Sequence, residues 1–239
     1  MLPQNDPNAV VVGSYAELSI ALKNERVYLA FCEEYDVTDD IQGLLDILAA
    51  SNIPFYLCHS KNSSRVLFEF GKYLNYTKKE KAMQAATQYF SHHLEEMSSY
   101  QVTMLVHFLF DEVERNICLI SENFLAEDGY FSYISTAQCN ARDVWFAPNW
   151  HQDNNKYVVL SNYTGVSTRY VPRSFPKHLI MGGNSYDAII GNQNLEYRLP
   201  NKGKSMHKGM NLVTDENSPC HLGEKADHRI IGVAGTYNY

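Results

Sequence analysis

Two stretches decide how the chain reads: Asn149–Asn154, NWHQDN, and Cys220–Arg229, CHLGEKADHR. In an extended strand alternate side chains share a face, so His151 and Asp153 point to one side of a sheet while Trp150 turns to the other, into packing. His221 joins the pair as a third ligand if the sheet folds back on itself. Two imidazoles and one carboxylate on one side of a cation leave its opposite positions open, which suits a catalytic site rather than a structural one. His207 and His178 are rivals for the third place; His207 is read as a loop residue, and ligands held by strands are better fixed. Arg229 opens an apolar strand shortly after His221. Its planar fork of donors suits a carboxylate held by two parallel hydrogen bonds near the metal. His228, its neighbour, is expected on the opposite face, with a structural or surface role.

His-x-Asp, a distal His and then a trailing basic residue resemble the Fe(II)/2-oxoglutarate-dependent oxygenases, whose fold is a double-stranded β-helix. A closer likeness is to a bacterial family of unknown function with an aromatic-His-x-Asp-Asn motif, a Thr-Tyr-x-Gly-x-x-Thr-like turn and a late Pro-x-His segment. The corresponding runs here are WHQDN, YVVLSNYTGVSTRYVP and PCHLGEKADHRIIGVA, covering roughly the second half of the chain. The chain departs from that family after His221, where LGEK replaces an Arg-Ser-Pro run. The resemblance implies that His151, Asp153 and His221 hold Fe(II) as the catalytic centre. It also implies that 2-oxoglutarate chelates the metal with its far carboxylate on Arg229, and that O2 takes the remaining position. Hydroxylation of a small molecule or peptide, with decarboxylation of 2-oxoglutarate to succinate, is the implied activity. Asn154 and Tyr157 are near enough in sequence to orient a ligand or bind the keto acid. Thr168, Tyr163 and Arg169 are further candidates, and Arg169 is the alternative anchor to Arg229. Two other readings stand beside this one: a cupin-like metalloenzyme that uses no keto acid, and a non-catalytic β-helix module with a vestigial site.

Composition narrows the class. With 239 residues, 45% hydrophobic and 13% aromatic, the chain can bury a substantial core. A formal charge of −7 disfavours a nonspecific nucleic-acid binder. Lys202, Lys204, Lys208 and His207 form a local basic cluster, read as a solvated loop. No apolar run is long enough to cross a membrane, and the N-terminus lacks the features of a secretory signal. Five scattered cysteines without a Cys-x-x-Cys pair fit a reducing cytoplasm. No Gly-x-Ser-x-Gly elbow or phosphate-binding loop argues for hydrolase or kinase chemistry.

The expected fold is α+β: a mixed α/β region over residues 1–110, packed on a C-terminal jelly-roll or cupin-like β-helix over residues 111–239. Ser14 and Thr38 read as caps of two helices, followed respectively by strands at Val27–Cys32 and Ile53–Cys58. Arg65–Leu74 and Thr77–Met97 are predicted helices. Tyr100–Phe110 is apolar enough for either a buried strand or a buried helix, and His107 within it is expected in the core. Asn116–Ser121, Tyr130–Thr136 and Tyr157–Tyr163 are predicted strands, with Ser167–Val171 returning after a Thr164-Gly165 turn. Short strands are expected at Ala188–Ile190 and Leu195–Leu199. Pro172–Tyr186 is predicted as a loop and possible lid, Pro200–Gly209 as another loop, and Ile230–Ala234 as the closing strand.

Overall fold

The computed structural model describes residues 6, 8–62, 65–71, 75–136, 153–171, 197–198, 201–209, 220–222 and 228–237. Within them the chain runs β1 (Ala9–Val12), α1 (Tyr15–Leu22), β2 (Leu29–Cys32), α2 (Asp39–Ala50), β3 (Tyr56–Asn62), β4 (Arg65–Phe70), β5 (Asn75–Tyr76), α3 (Lys79–His93) and α4 (Ser99–Ser121). It continues with β6 (Tyr130–Thr136), β7 (Tyr157–Thr164), β8 (Arg169–Val171), β9 (Tyr197–Arg198), β10 (Gly203–Lys208), β11 (Cys220–Leu222) and β12 (Ile230–Thr236).

Nine strands make one sheet in the order β1-β2-β10-β7-β12-β6-β3-β4-β5; a second sheet has the order β11-β8-β9. β1 and β2 are parallel and every other described pair is antiparallel. The fold is therefore α+β with a mixed sheet. Strands from both halves of the sequence share that sheet, and α4 runs through residue 110.

The large sheet is buried on both faces, and alternation assigns each side chain to one of them. On the first face lie the helices. Leu57, Phe68, Ile134 and Ile230 pack there against Leu48, Phe90, Leu105, Leu109 and Phe110 of α2, α3 and α4. Ala30, Val159, Met206 and Ala234 meet Leu18 and Leu22 of α1 and Ile120 of α4. On the other face Leu29, Phe31, Val158 and Leu160 pack against Tyr170 of the small sheet. Each fully buried Leu or Phe contributes about 1.5–3 kcal/mol. The two sheets thus enclose an interior whose large-sheet wall is the odd-numbered face of β10 and the even-numbered face of β7.

Local signals account for the helices. Thr38 caps α2 by accepting from the Ile41 amide at 3.4 Å. Ser98 and Gln101 form a reciprocal capping box at the start of α4, the Gln101 side chain accepting from the Ser98 amide at 2.8 Å. From there Val102, Leu105, Val106, Leu109, Phe110 and Val113 are buried at helical spacing, which settles the ambiguous run as helix. His107 falls on the exposed side of this helix, not in the core.

Several expectations are corrected. Arg65–Phe70 is a strand in a hairpin with β3, paired in register from Asn62 opposite Arg65 to Leu57 opposite Phe70. Asn116–Ser121 is the last turns of α4. The segment expected to return along β7 instead crosses over as β8 of the small sheet. The largest change is at Pro200–Gly209: Gly203–Lys208 is a central, fully buried strand between β2 and β7. Its polar side chains are held. Lys204 pairs with Glu112 of α4 and donates to Asn116 Oδ1 at 2.6 Å, while Tyr163 Oη donates to Glu112 at 2.9 Å and Arg115 pairs with it at 3.1 Å. Lys208 donates to the Asn24 carbonyl at 2.8 Å. Ala188–Ile190 and Pro172–Tyr186 lie outside the described residues. No helix among the described residues is long and apolar enough to cross a membrane.

Candidate active site

Asp153 is carried on the short bend that leads into β7. Three contacts fix this bend to neighbouring strands. The Lys156 amide donates to Thr236 Oγ1 at 3.0 Å, the Asn155 side-chain amide donates to the Thr236 carbonyl, and the Gly209 amide donates to the Lys156 carbonyl at 2.9 Å. Gly209 is required by the closeness of the bend: a Cβ there would overlap the Asn155 carbonyl and lie 2.7 Å from that of Asp153. Held in this way, Asp153 places Oδ2 2.8 Å from Nε2 of His207. His207 is completely buried, whereas the Asp153 side chain keeps 21% of its exposure. A carboxylate at the rim of an enclosed interior, anchored on one oxygen, results.

Arg229 approaches from the start of β12. The ladder between β12 and β7 is irregular between Ile230 and Ile231, and Thr164 spans that irregularity. Thr164 Oγ1 donates to the His228 carbonyl at 2.9 Å and accepts from the Ile230 amide at 2.9 Å. Gly165, at φ +80°, leaves room for the Arg229 backbone; a Cβ would stand 3.0 Å from its Cα. Arg229 is 1% exposed and donates from Nη2 to Thr168 Oγ1 at 3.1 Å. His228, in a left-handed conformation, is exposed and bonds through Nδ1 to the Ala49 carbonyl at 3.0 Å. That matches the structural role expected for it.

The electrostatics place the two charges in one neighbourhood. Tyr133 of β6 is buried, and burial pushes its phenol well above the usual range. The Asp153 charge raises it further and the Arg229 charge pulls it down. Tyr170 is also raised, first by burial and then by Asp153, against a hydrogen bond with Ser205 at 3.3 Å. A buried cation and a partly exposed anion inside low-dielectric walls act on an entering ligand more strongly than surface charges do.

The other predicted site residues fall as follows. His151 lies outside the described residues, as do His178 and the rest of 172–196. His221 is on β11, at the register position opposite Tyr170. Thr168 is buried against Arg229. Asn154 is exposed. Tyr157 is on the helix-facing side, its ring stacked on Phe124 at 3.6 Å, and Tyr163 likewise points to Glu112. Sequence reasoning missed Tyr133 and gave His207 to a loop. The signal for His207 was there: in GKSMHK, Ser205 and His207 alternate with Lys204 and Met206.

Among the described residues no three His, Cys, Asp or Glu side chains form a metal-binding group.

No family model and no curated protein matches the chain. Among solved structures it is similar to dioxygenase for auxin oxidation 1 from Arabidopsis thaliana in a 2-oxoglutarate complex: 10% identity, TM-score 0.38, covering 95% of this chain and 91% of that one. It is also similar to the rice dioxygenase for auxin oxidation, with 12% identity, TM-score 0.39, and 95% and 81% of the two chains covered. A third is IDO from Bacillus thuringiensis, with 11% identity, TM-score 0.37, and 95% and 97% covered. Scores this low leave the reading to rest on the strands and side chains of this chain.

Proposed function

We propose that the chain is an Fe(II)- and 2-oxoglutarate-dependent oxygenase acting on a small-molecule or peptide substrate. The observation that supports this most is that Asp153 and the buried Arg229 both act on the buried Tyr133, the carboxylate raising its pKa and the guanidinium lowering it. The winding of the chain agrees: β7 lies in the large sheet, β8 and β9 in the small one, β10 in the large, β11 in the small and β12 in the large. That alternation is expected of a double-stranded β-helix.

In this reading His151, Asp153 and His221 hold the metal, with His151 preceding the bend and His221 supplied by β11. Bound iron supplies activation of O2 coupled to oxidation of the keto acid. The residues of the chain bind and orient. Arg229, which donates to Thr168, is the residue that would meet the far carboxylate of the keto acid. Burial makes that pairing stronger than at a surface and favours the doubly bonded geometry. Burial keeps the Tyr133 phenol protonated at neutral pH, so it can act only as a neutral hydroxyl toward a ligand in this interior. Val158, Leu160 and Phe31 line the wall and keep water from the interior.

Anaerobic titration with Fe(II), with and without 2-oxoglutarate, tests the proposal. A visible metal-to-ligand charge-transfer band is expected only when both are present, and is lost in Asp153→Ala. Absence of the band at saturating metal overturns the reading. If Fe(II) binds but Arg229→Ala leaves the keto-acid response unchanged, the cupin-like alternative without a keto acid takes its place.

A further inference from the structure

A group of titratable side chains where β3 meets α3 and α4 has no task in the scheme just described. We infer that His59, Lys79, Asp111 and Glu114 form an acid-operated latch: on protonation the His59 ring leaves its stack on Phe68 and moves to the carboxylates that hold α3 to α4. None of these residues belongs to the proposed metal site.

Packing sets the closed position. On the helix face of the large sheet, His59 is opposed by Phe68 of β4 on one side and Ser132 of β6 on the other. Its ring stacks on Phe68 at 4.3 Å, and Phe68 stacks on Phe110 of α4 at 5.7 Å. Both ring nitrogens and the Ser132 hydroxyl are buried without a hydrogen-bond partner. Glu114 comes one helical turn after Phe110, on the same side of α4. There Lys79, the first residue of α3, meets Asp111 Oδ1 at 2.9 Å and Glu114 Oε2 at 2.6 Å. One ammonium between two carboxylates leaves a net charge of −1 beside a buried, uncharged imidazole. Other titratable groups nearby are Lys61 on β3 itself, exposed, and Tyr130 on β6, whose hydroxyl donates to the Phe124 carbonyl at 2.6 Å. His107 is exposed one turn before Asp111, and β4 brings no charge to this face. The stack therefore suits a neutral ring, whereas the unbalanced carboxylate suits a protonated one. Burial lowers the pKa of the stacked ring from 6.5 to about 4; Glu114 opposes the shift, and Lys61 and Lys79 add to it. Outside the stack the imidazole takes a proton about 300-fold more readily, so acid favours the open position by up to that factor.

The test is an NMR titration of the full chain with labelled histidine, from neutral pH to about pH 4. His59→Phe assigns the His59 resonance, and His107→Gln removes the competing imidazole on α4. At neutral pH the His59 ring protons are expected to be displaced by the Phe68 ring current. In acid they are expected to move to the position of a solvated imidazolium, with the Phe68 ring signals shifting in the same step. Signals of Val159 and Met206, in the centre of the sheet, are expected to stay in place through that step. Glu114→Gln, which removes the unbalanced carboxylate, is expected to lower the His59 midpoint, and Lys79→Met to raise it. Both substitutions are at partly exposed side chains, so the variants are expected to fold. A His59 that titrates while the Phe68 signals remain unmoved overturns the latch. So does a midpoint that Glu114→Gln leaves unchanged. Loss of the Val159 and Met206 signals in the same step also overturns it, because the transition is then global unfolding.

Discussion

His59 sits on β3, on the helix side of the sheet, and gives the molecule an acid-sensitive point away from the proposed site. The residue is 7% exposed, its ring is stacked on Phe68 at 4.3 Å, and neither ring nitrogen has a hydrogen-bond partner. Burial lowers its pKa from 6.5 to about 4, with Lys61 and Lys79 adding to the shift and Glu114 opposing it. Because the folded pKa lies below the unfolded one, the unfolded chain binds the proton more readily between those values. Stability is therefore complete above pH 6.5 and falls as the pH drops from there toward 4. At one pKa unit per 1.36 kcal/mol, the loss between pH 7.5 and pH 5 is about 2 kcal/mol. His59→Phe keeps the stack on Phe68 and removes both nitrogens. At pH 7.5 it is expected to gain about 1 kcal/mol, since two buried polar atoms without partners are replaced by carbon. At pH 5 its advantage over wild type is expected to widen by about another 2 kcal/mol. Equilibrium urea unfolding at the two pH values, with matching slopes for the two proteins, measures both quantities. An advantage that is the same at pH 5 and pH 7.5 refutes the claim that this imidazole stays neutral in the folded protein.

Three further outcomes are expected. Lys204→Met removes one partner of the buried pair with Glu112 and leaves the carboxylate with Tyr163 and Arg115; a loss of about 3–5 kcal/mol is expected in thermal or urea unfolding. Gly209→Ala forces the bend carrying Asp153 away from β10, and is expected to lower Fe(II) affinity at least tenfold, read by anaerobic titration, by shifting a ligand about an ångström. Arg229→Lys keeps the charge but not the fork; 2-oxoglutarate affinity is expected to fall by about 1.5–3 kcal/mol in the same titration while Fe(II) binding alone is unchanged.

Much of the fold was legible where one local signal was strong. Thr38 marks a helix start because its side chain caps the first turn, a local event, and Ser14 stands at the N-cap position of α1 without a side-chain cap bond. Tyr157–Tyr163 and Tyr130–Thr136 read as strands because aromatic and β-branched residues recur there. The errors share a cause, which is that the environment supplied by distant elements cannot be seen in a short window. Arg65–Phe70 contains Leu, Glu and Phe, all compatible with a helix, and is a strand because β3 pairs with it. Tyr100–Phe110 was undecided, and Asn116–Ser121 was expected as a strand, because a helix buried on a wide face loses the polar stripe that reveals its period.

Gly203–Lys208 shows the same limit with functional consequence. Two lysines and a glycine suggest a solvated loop, and a loop histidine makes a poor ligand, so His207 was set aside. What makes the strand possible lies elsewhere: Glu112 on α4 neutralises Lys204, Asn116 accepts a hydrogen bond from it, and the Asn24 carbonyl receives Lys208. Burial lowers the Lys204 pKa and the Glu112 charge opposes that shift, so the strand tolerates an ammonium in its helix-facing layer only through this distant carboxylate. Once Lys204 is drawn to the helix side, alternation sends Ser205 and His207 to the interior, toward Tyr170 and Asp153. The polar network under the sheet therefore helps to set which face of β10 meets the proposed site, and a substitution at Glu112 is expected to be felt at Asp153 through the register of one strand.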